Sequence, residues 1–181
     1  MIYGERIRLR AIEHDDLPCF VAWLNDPEVT ENLLIAYPLS LAAEEKWFES
    51  VMSHSQFERP LVIEARQGDG WKMIGNLSLM DISWHNSNAE LGIVLGDKAE
   101  WDKGYGTEAI RLLVKYAFEE LNLHRVSLRV YATNPRAIHC YEKAGFEMEG
   151  TLRDSIFRHG KYIDLHVMSI LRPKWEHSNQ H

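Results

Sequence analysis

The sequence predicts a mixed α/β (α+β) fold, one sheet of about seven strands flanked by helices. Three observations carry that expectation. Apolar residues alternate with period two, or gather in short apolar runs, in segments spread along the chain. Stretches with helical apolar spacing interrupt those segments. The resulting order, β-α-α-β-β-β-α-β-α-β-β, describes a mixed sheet covered by helices.

Taken in order, Arg6-Ile7-Arg8-Leu9-Arg10 alternates as a half-buried strand does. Asp15 or Asp16 stands where a helix cap is needed. Leu17, Phe20, Val21 and Leu24 then follow helical spacing, and Pro18 is tolerated in the first turn. Asn25-Asp26-Pro27 ends that helix. Ser40 caps a second helix with Trp47, Phe48, Val51 and Met52 on one face. Residues 60–65, 72–80 and 87–95 read as three strands, separated by Gly68-Asp69-Gly70 and by His85-Asn86-Ser87-Asn88. Ala109, Ile110, Leu113, Val114, Ala117, Phe118 and Leu121 form an amphipathic stripe, and Val126, Leu128 and Val130 alternate in the next strand. Asn134 caps a short helix with Pro135 at its first position, and Gly145 ends it. Residues 146–157 and 162–171 read as a hairpin joined at His159-Gly160. With no repeat, linker or low-complexity tract, residues 1–181 are expected to form one domain, frayed over 172–181.

Composition narrows the function classes. A chain of 181 residues with 45% apolar and 26% charged side chains suits a globular domain that needs no covalent staples. No apolar run reaches the length of a membrane span, and the first residues lack the basic-then-apolar pattern of a secretory signal. Cys19 and Cys140 fit no CxxC spacing, so a reducing cytoplasm is expected. A net charge of −7 argues against a grip on nucleic-acid phosphates. The nine histidines show no HExxH or comparable spacing, so no metal is expected.

The most informative stretch is Ile93-Val94-Leu95, an apolar run read as a buried strand, followed by a polar loop and Lys103-Gly104-Tyr105-Gly106-Thr107 at a helix start. Glycines there let a ligand approach the backbone. The first helical N–H groups have no partner and carry the positive end of the dipole. Such a loop is an anion site, most often for phosphate. Gly104, Gly106 and Ala109 match GxGxxA, but the loop lies past mid-chain and no acidic residue ends the following strand, so the dinucleotide context is missing. GxxxxGK[ST] is absent. A turn that uses glycine for geometry alone remains the plain alternative.

About thirty residues on comes Asn134-Pro135-Arg136-Ala137-Ile138-His139-Cys140-Tyr141-Glu142-Lys143-Ala144-Gly145-Phe146. Together the two motifs resemble the GNAT superfamily of acyl-CoA-dependent N-acetyltransferases, over nearly the whole chain and most specifically in residues 90–146. The resemblance implies a mostly antiparallel sheet with a splayed pair of central strands. It implies acetyl-CoA as co-substrate, with the pyrophosphate held by Trp101, Asp102, Lys103, Gly104, Tyr105, Gly106 and Thr107. Trp101 stands where the family pattern has Gln or Arg. The pantetheine arm is expected along Ile93, Val94 and Leu95, paired like an added strand, with Asn134 and Arg136 also on the cofactor side.

The resemblance makes Tyr141 the acid that protonates the departing thiolate. From spacing alone, a core tyrosine is the competing reading. An ammonium has no lone pair, so a group must take a proton from the amine, and Glu90 is the candidate. A solvent-exposed carboxylate at a strand edge is its alternative. The oxyanion would fall to a backbone N–H of the 93–95 strand. Cys140 is read as packing, because helix neighbours point about 100° apart and it cannot share the direction of Tyr141.

Asn25, Glu31, Asn32 and Tyr162 are expected on the acceptor side. The segment Arg153 to Asp164 resembles the terminal hairpin of two subgroups, one acetylating α-amines of ribosomal proteins and one acetylating spermidine-type polyamines. Acidic Glu31, Glu90 and Asp164 suit a polycation or a basic N-terminal peptide equally. The expected activity is acetyl transfer to a primary amine by direct attack in a ternary complex. A non-catalytic acyl-CoA-binding regulatory module is the alternative from another class, and the presence of Tyr141 speaks against it. Dimerisation through the C-terminal hairpin is implied by resemblance.

Overall fold

The structure, a computed structural model, describes residues 1–34 and 38–178. The strands are β1 (Ile2–Tyr3), β2 (Ile7–Ala11), β3 (Leu61–Gln67), β4 (Gly70–Ser83), β5 (Asn88–Leu95), β6 (Arg125–Tyr131), β7 (Glu147–Arg158) and β8 (Lys161–Leu171). The helices are α1 (Leu17–Leu24), α2 (Pro27–Thr30), α3 (Leu41–Ser53), α4 (Tyr105–Glu119), α5 (Pro135–Ala144) and α6 (Arg172–Ser178). The hydrogen-bonded strand order is β1-β2-β3-β4-β5-β6-β8-β7, a mixed, mostly antiparallel sheet. The eighth strand, beyond the seven expected, is the two-residue β1, which pairs Ile2 with Leu9. Two residues are too few for alternation to show.

Two compact units make up the chain, Met1–Leu79 with Gly92–Ala109, and Met80–Leu91 with Ile110–His181. In the first, β2, β3 and β4 run antiparallel in succession, with Leu9 opposite Ile63 and Ile63 opposite Gly75. Ile12, Leu17, Phe20 and Val62 form a core against which Trp23, Trp47, Phe48 and Met73 pack. Ser40 caps α3 as expected, its hydroxyl accepting the Ala43 N–H at 3.2 Å. Asp16 does not cap α1 with its side chain. Its carboxylate instead takes both terminal nitrogens of Arg10 at 2.7 Å, and the Glu13 N–H at 2.8 Å. Arg10 also donates to the buried Glu64 at 2.8 Å, and Arg8 does so at 2.5 Å. Each buried charge in the group is thereby partnered.

At Gly75 a Cβ would lie 2.1 Å from the Val94 carbonyl oxygen. No side chain larger than hydrogen fits between β4 and the distal part of β5.

In the second unit, β5 begins parallel to β6, with Asn88 opposite Arg125 and Glu90 opposite Ser127. β6 runs antiparallel to β8, and β8 to β7. The α4 stripe does what its period predicts, since Ile110, Val114, Ala117 and Phe118 are fully buried. His159 and Gly160 both take positive φ, 49° and 75°, and close the β7–β8 hairpin tightly. The expected frayed tail is a correction: Arg172–Ser178 is helical, and Trp175 stands edge-on to Phe118 at 5.5 Å. Its last three residues, 179–181, lie outside the described residues. Among the described residues no helix is long and apolar enough to cross a membrane.

Candidate active site

In the first unit, β5 continues through Ile93, Val94 and Leu95 beyond its short ladder with β6. These three side chains are half-buried rather than buried. The Trp101 indole N–H donates to the Leu95 carbonyl at 2.8 Å and ties the following loop to the end of β5. The loop then turns through Asp102 at φ 60° and Gly104 at φ 84°, and α4 starts at Tyr105. The second value lies in the left-handed region, where glycine is free and a branched side chain is not. Gly104 thus sets the direction in which the first turn of α4, with Tyr105, Gly106 and Thr107, presents its N–H groups.

The loop is braced by charge. The Lys103 ammonium donates to Glu100 at 2.9 Å and holds that carboxyl below its ordinary range, with Lys72 a second donor at 3.3 Å. Arg6 donates from Nε to Glu108 at 2.9 Å and from Nη1 to the Lys103 carbonyl at 2.9 Å. Its guanidinium lies 5.0 Å from the centre of the Tyr105 ring. Arg6 had been read only as part of an alternating strand. Its partners lie about a hundred positions away, so no local pattern could announce it.

Of the acceptor-side candidates in this unit, Asn25 is committed elsewhere. Its amide accepts the Leu39 N–H at 2.8 Å and donates to the Leu39 carbonyl at 2.7 Å and the Val21 carbonyl at 2.9 Å. It clamps two segments of chain. Glu31 is exposed and Asn32 half-buried.

In the second unit, α5 carries the remaining chemistry. The Asn134 side-chain oxygen accepts the Ala137 N–H at 3.1 Å, the cap its position implied. Arg136 is exposed. Tyr141 is 9% exposed, and its ring tilts against Phe146 at 6.2 Å. Burial pushes its phenol well above the ordinary tyrosine value, and the neighbouring Cys140 adds to the rise. Among the described residues, the Tyr141 hydroxyl has no hydrogen-bond partner. Cys140 is half-buried.

Glu90 lies inside β5, and Arg129 of β6 grips both its oxygens, at 2.9 and 3.0 Å. This replaces the solvated strand-edge carboxylate with a fixed pair, and the bond raises the Arg129 guanidinium. Tyr162 is 66% exposed, its ring tilted against Phe157 at 5.1 Å, and Asp164 accepts the Asp154 N–H at 2.9 Å. Sequence reasoning missed Tyr131, whose buried hydroxyl finds no partner among the described residues and whose phenol is pushed up by burial. Its place in an alternating strand hid it among core residues. Among the described residues, no three His, Cys, Asp or Glu side chains gather as metal ligands would.

The first unit thus holds a glycine turn at positive φ feeding a helix and a strand running past its ladder, and the second a buried tyrosine on a capped helix. The sequence model of the acetyltransferase (GNAT) domain matches residues 6–147. The chain is a GNAT N-acetyltransferase. The acetyltransferase is 32% identical to spermidine N(1)-acetyltransferase of Vibrio cholerae over 95% of this chain and 96% of the relative. It is 31% identical to spermidine N(1)-acetyltransferase of Escherichia coli K12, over 93% of this chain and 88% of the relative. Among solved structures, the spermidine N-acetyltransferase of Vibrio cholerae in complex with CoA and spermine superposes with a TM-score of 0.85 at 30% identity. That match covers 96% of this chain and 99% of the neighbour.

Proposed function

We propose that this acetyltransferase moves an acetyl group from acetyl-CoA to a primary amine of a polyamine of the spermidine type. The observation that carries the reading is the Gly104 turn, at φ 84°, opening α4 beside a strand that runs on past its ladder. It offers N–H groups to a diphosphate and a strand edge to an amide-bearing arm. Support for the acceptor comes from the relatives named as spermidine acetyltransferases and from the net charge of −7, which suits a polycation.

In this reading Asp102, Lys103, Gly104, Tyr105, Gly106 and Thr107 hold the diphosphate, with Trp101 fixing the loop. Ile93, Val94 and Leu95 pair with the pantetheine arm, and Asn134 and Arg136 lie on the cofactor side. The free amine attacks the thioester carbonyl carbon; the C–N bond forms and the C–S bond breaks. The Tyr141 hydroxyl gives its proton to the departing sulfur, and the nitrogen, which carries one proton too many after attack, returns a proton to the phenolate through water. A backbone N–H of the 93–95 strand donates to the transient oxyanion. Glu90 takes the proton that the ammonium must lose, through water. Its carboxylate retains lone pairs after engaging Arg129. Glu90→Gln is expected to lower kcat/KM and to steepen its dependence on amine protonation; an unchanged pH profile removes Glu90 from this role. Glu31, Asn32 and Tyr162 are proposed to face the acceptor. The amide of Asn25 acts there through the chain it clamps.

The free thiols of Cys19 and Cys140 suit work in the cytoplasm. The β7 edge, with Leu152 and Phe157 exposed, is proposed to pair with a second copy. Phe157→Glu should then shift the sedimenting species to monomer, and a wild-type monomer at high concentration excludes the pairing.

The deciding experiment measures thiol release from acetyl-CoA with spermidine, spermine, aminoglycosides and ribosomal N-terminal peptides as acceptors. Spermidine or spermine is expected to give the highest kcat/KM. Preference for a peptide α-amine overturns the polyamine reading and leaves an N-terminal acetyltransferase. CoA binding without turnover on any amine leaves a binding module.

A further inference from the structure

We infer that Arg6 is a cation of the diphosphate site, held by Glu108 so that one guanidinium nitrogen stays free beside the glycine turn. This inference rests on the proposed CoA reading and assigns it a residue outside the glycine-loop and α5 motifs.

The geometry builds in three steps, all inside the first unit. Glu108 lies in the first turn of α4, where an uncompensated carboxylate would repel an anion at the helix start. Its two oxygens are engaged by Arg6, one by the backbone N–H at 2.8 Å and one by Nε at 2.9 Å. Glycine at residue 4 lets the chain pass close to this carboxylate, since a Cβ there would stand 2.9 Å from Glu108 Oε1.

Nη1 of Arg6 is spent next, on the Lys103 carbonyl at 2.9 Å, the residue immediately before Gly104. The guanidinium therefore pins the turn from below while the Tyr105 ring lies 5.0 Å from its carbon. Nη2 is left. Among the described residues it has no hydrogen-bond partner, and it lies 3.3 Å from the point where a Cβ on Gly104 would sit. The Arg6 side chain is 51% exposed, so this nitrogen can meet a ligand.

Glycine at 104 then has two uses. It permits the positive φ, and it lets Nη2 come up against the turn, 3.3 Å from where a Cβ would sit. An oxygen anion lying against the turn receives helix N–H groups together with one guanidinium N–H. Charge-assisted bonds of that kind are the stronger class. The Lys103 ammonium, engaged with Glu100 at 2.9 Å, keeps two further N–H donors and adds a second positive charge near the turn.

The test separates a diphosphate contact from general support of the loop. CoA and dephospho-CoA are titrated into wild type, Arg6→Gln and Arg6→Lys by calorimetry, and S-acetylpantetheine, which lacks the diphosphate, is assayed as acetyl donor. Arg6→Gln is expected to weaken CoA and dephospho-CoA by the same factor, about tenfold or more. It should leave kcat/KM for S-acetylpantetheine at the wild-type level, and Arg6→Lys should recover part of the loss. The salt dependence of CoA affinity should also become shallower in Arg6→Gln.

Wild-type CoA affinity in Arg6→Gln overturns the inference. So does an equal loss for CoA and S-acetylpantetheine, which marks a structural brace alone, or a loss for CoA that dephospho-CoA does not share. If Arg6→Gln melts below the assay temperature, the same comparison is read from Arg6→Lys, where equal losses again overturn it. Wild-type protein that binds CoA but acetylates no amine removes the acceptor reading and leaves this test standing on binding. Wild-type protein that fails to bind CoA removes the cofactor reading itself.

Discussion

Burial around Tyr141, with Phe146 at 6.2 Å, keeps the phenol proton in place at pH values where a free tyrosine would lose it. That favours a role as proton donor over one as base. Tyr141→Phe is therefore expected to lower kcat by roughly 10²-fold, the scale of a lost general acid, with CoA affinity unchanged by calorimetry. The wild-type kcat should show no Tyr141 titration as pH passes the ordinary tyrosine value of about 10. An unaltered kcat in the variant removes the residue from the reaction. Asn25 shows the opposite outcome at the same scale. A polar side chain in the right stretch of chain is consumed by three hydrogen bonds to Leu39 and Val21, so its chemistry is spent on the fold.

At the scale of elements, the β7–β8 hairpin is tied to β6 by one carboxylate. Glu149 of β7 takes both terminal nitrogens of Arg125 at 2.5 Å and the Ser169 hydroxyl of β8 at 2.6 Å. The Arg125 bond first, and the Ser169 bond second, lower its pKa from 4.5 to about 2. A depressed carboxylate stabilises the fold above its unfolded value and loses that contribution as pH falls through the folded one. The Glu149 contribution is thus fully present above about pH 4.5 and fades toward pH 2. Glu149→Gln should lower Tm at pH 7, and the gap from wild type should close across that window. A gap that persists unchanged at pH 2 contradicts this account. The same strands show how bulges shape an element. The β7 register shifts between Leu152 and Ile156, which lets Asp154 leave the ladder and donate its N–H to Asp164.

For the molecule as a whole, the net charge of −7 and a polycationic acceptor imply attraction over distance. KM for spermine should rise with added salt more steeply than KM for a monoamine, because screening acts on each charge of the acceptor. Equal salt slopes for the two amines contradict the polycation reading.

Much of this molecule was legible before any coordinate. Ser40 and Asn134 cap the helices their positions announced, and His159-Gly160 closes the expected hairpin. The α4 stripe is buried where its period placed it. The glycine turn and the tyrosine helix were visible as motifs, and the family model spans both. The partners were not legible. Asp15 or Asp16 was read as a cap, and Asp16 is held by Arg10; Glu90, read as the base with a solvated edge as its alternative, is gripped by Arg129; the tail at 172–178 is a helix. Arg6 gave no sign of Glu108, far along the chain. The sequence by itself determined the elements, their ends and the kinds of chemistry present, because caps, turns and periodicity act between residues a few positions apart. Only the tertiary structure decided which charge meets which, because an ion pair depends on distance through space and leaves no period in the chain.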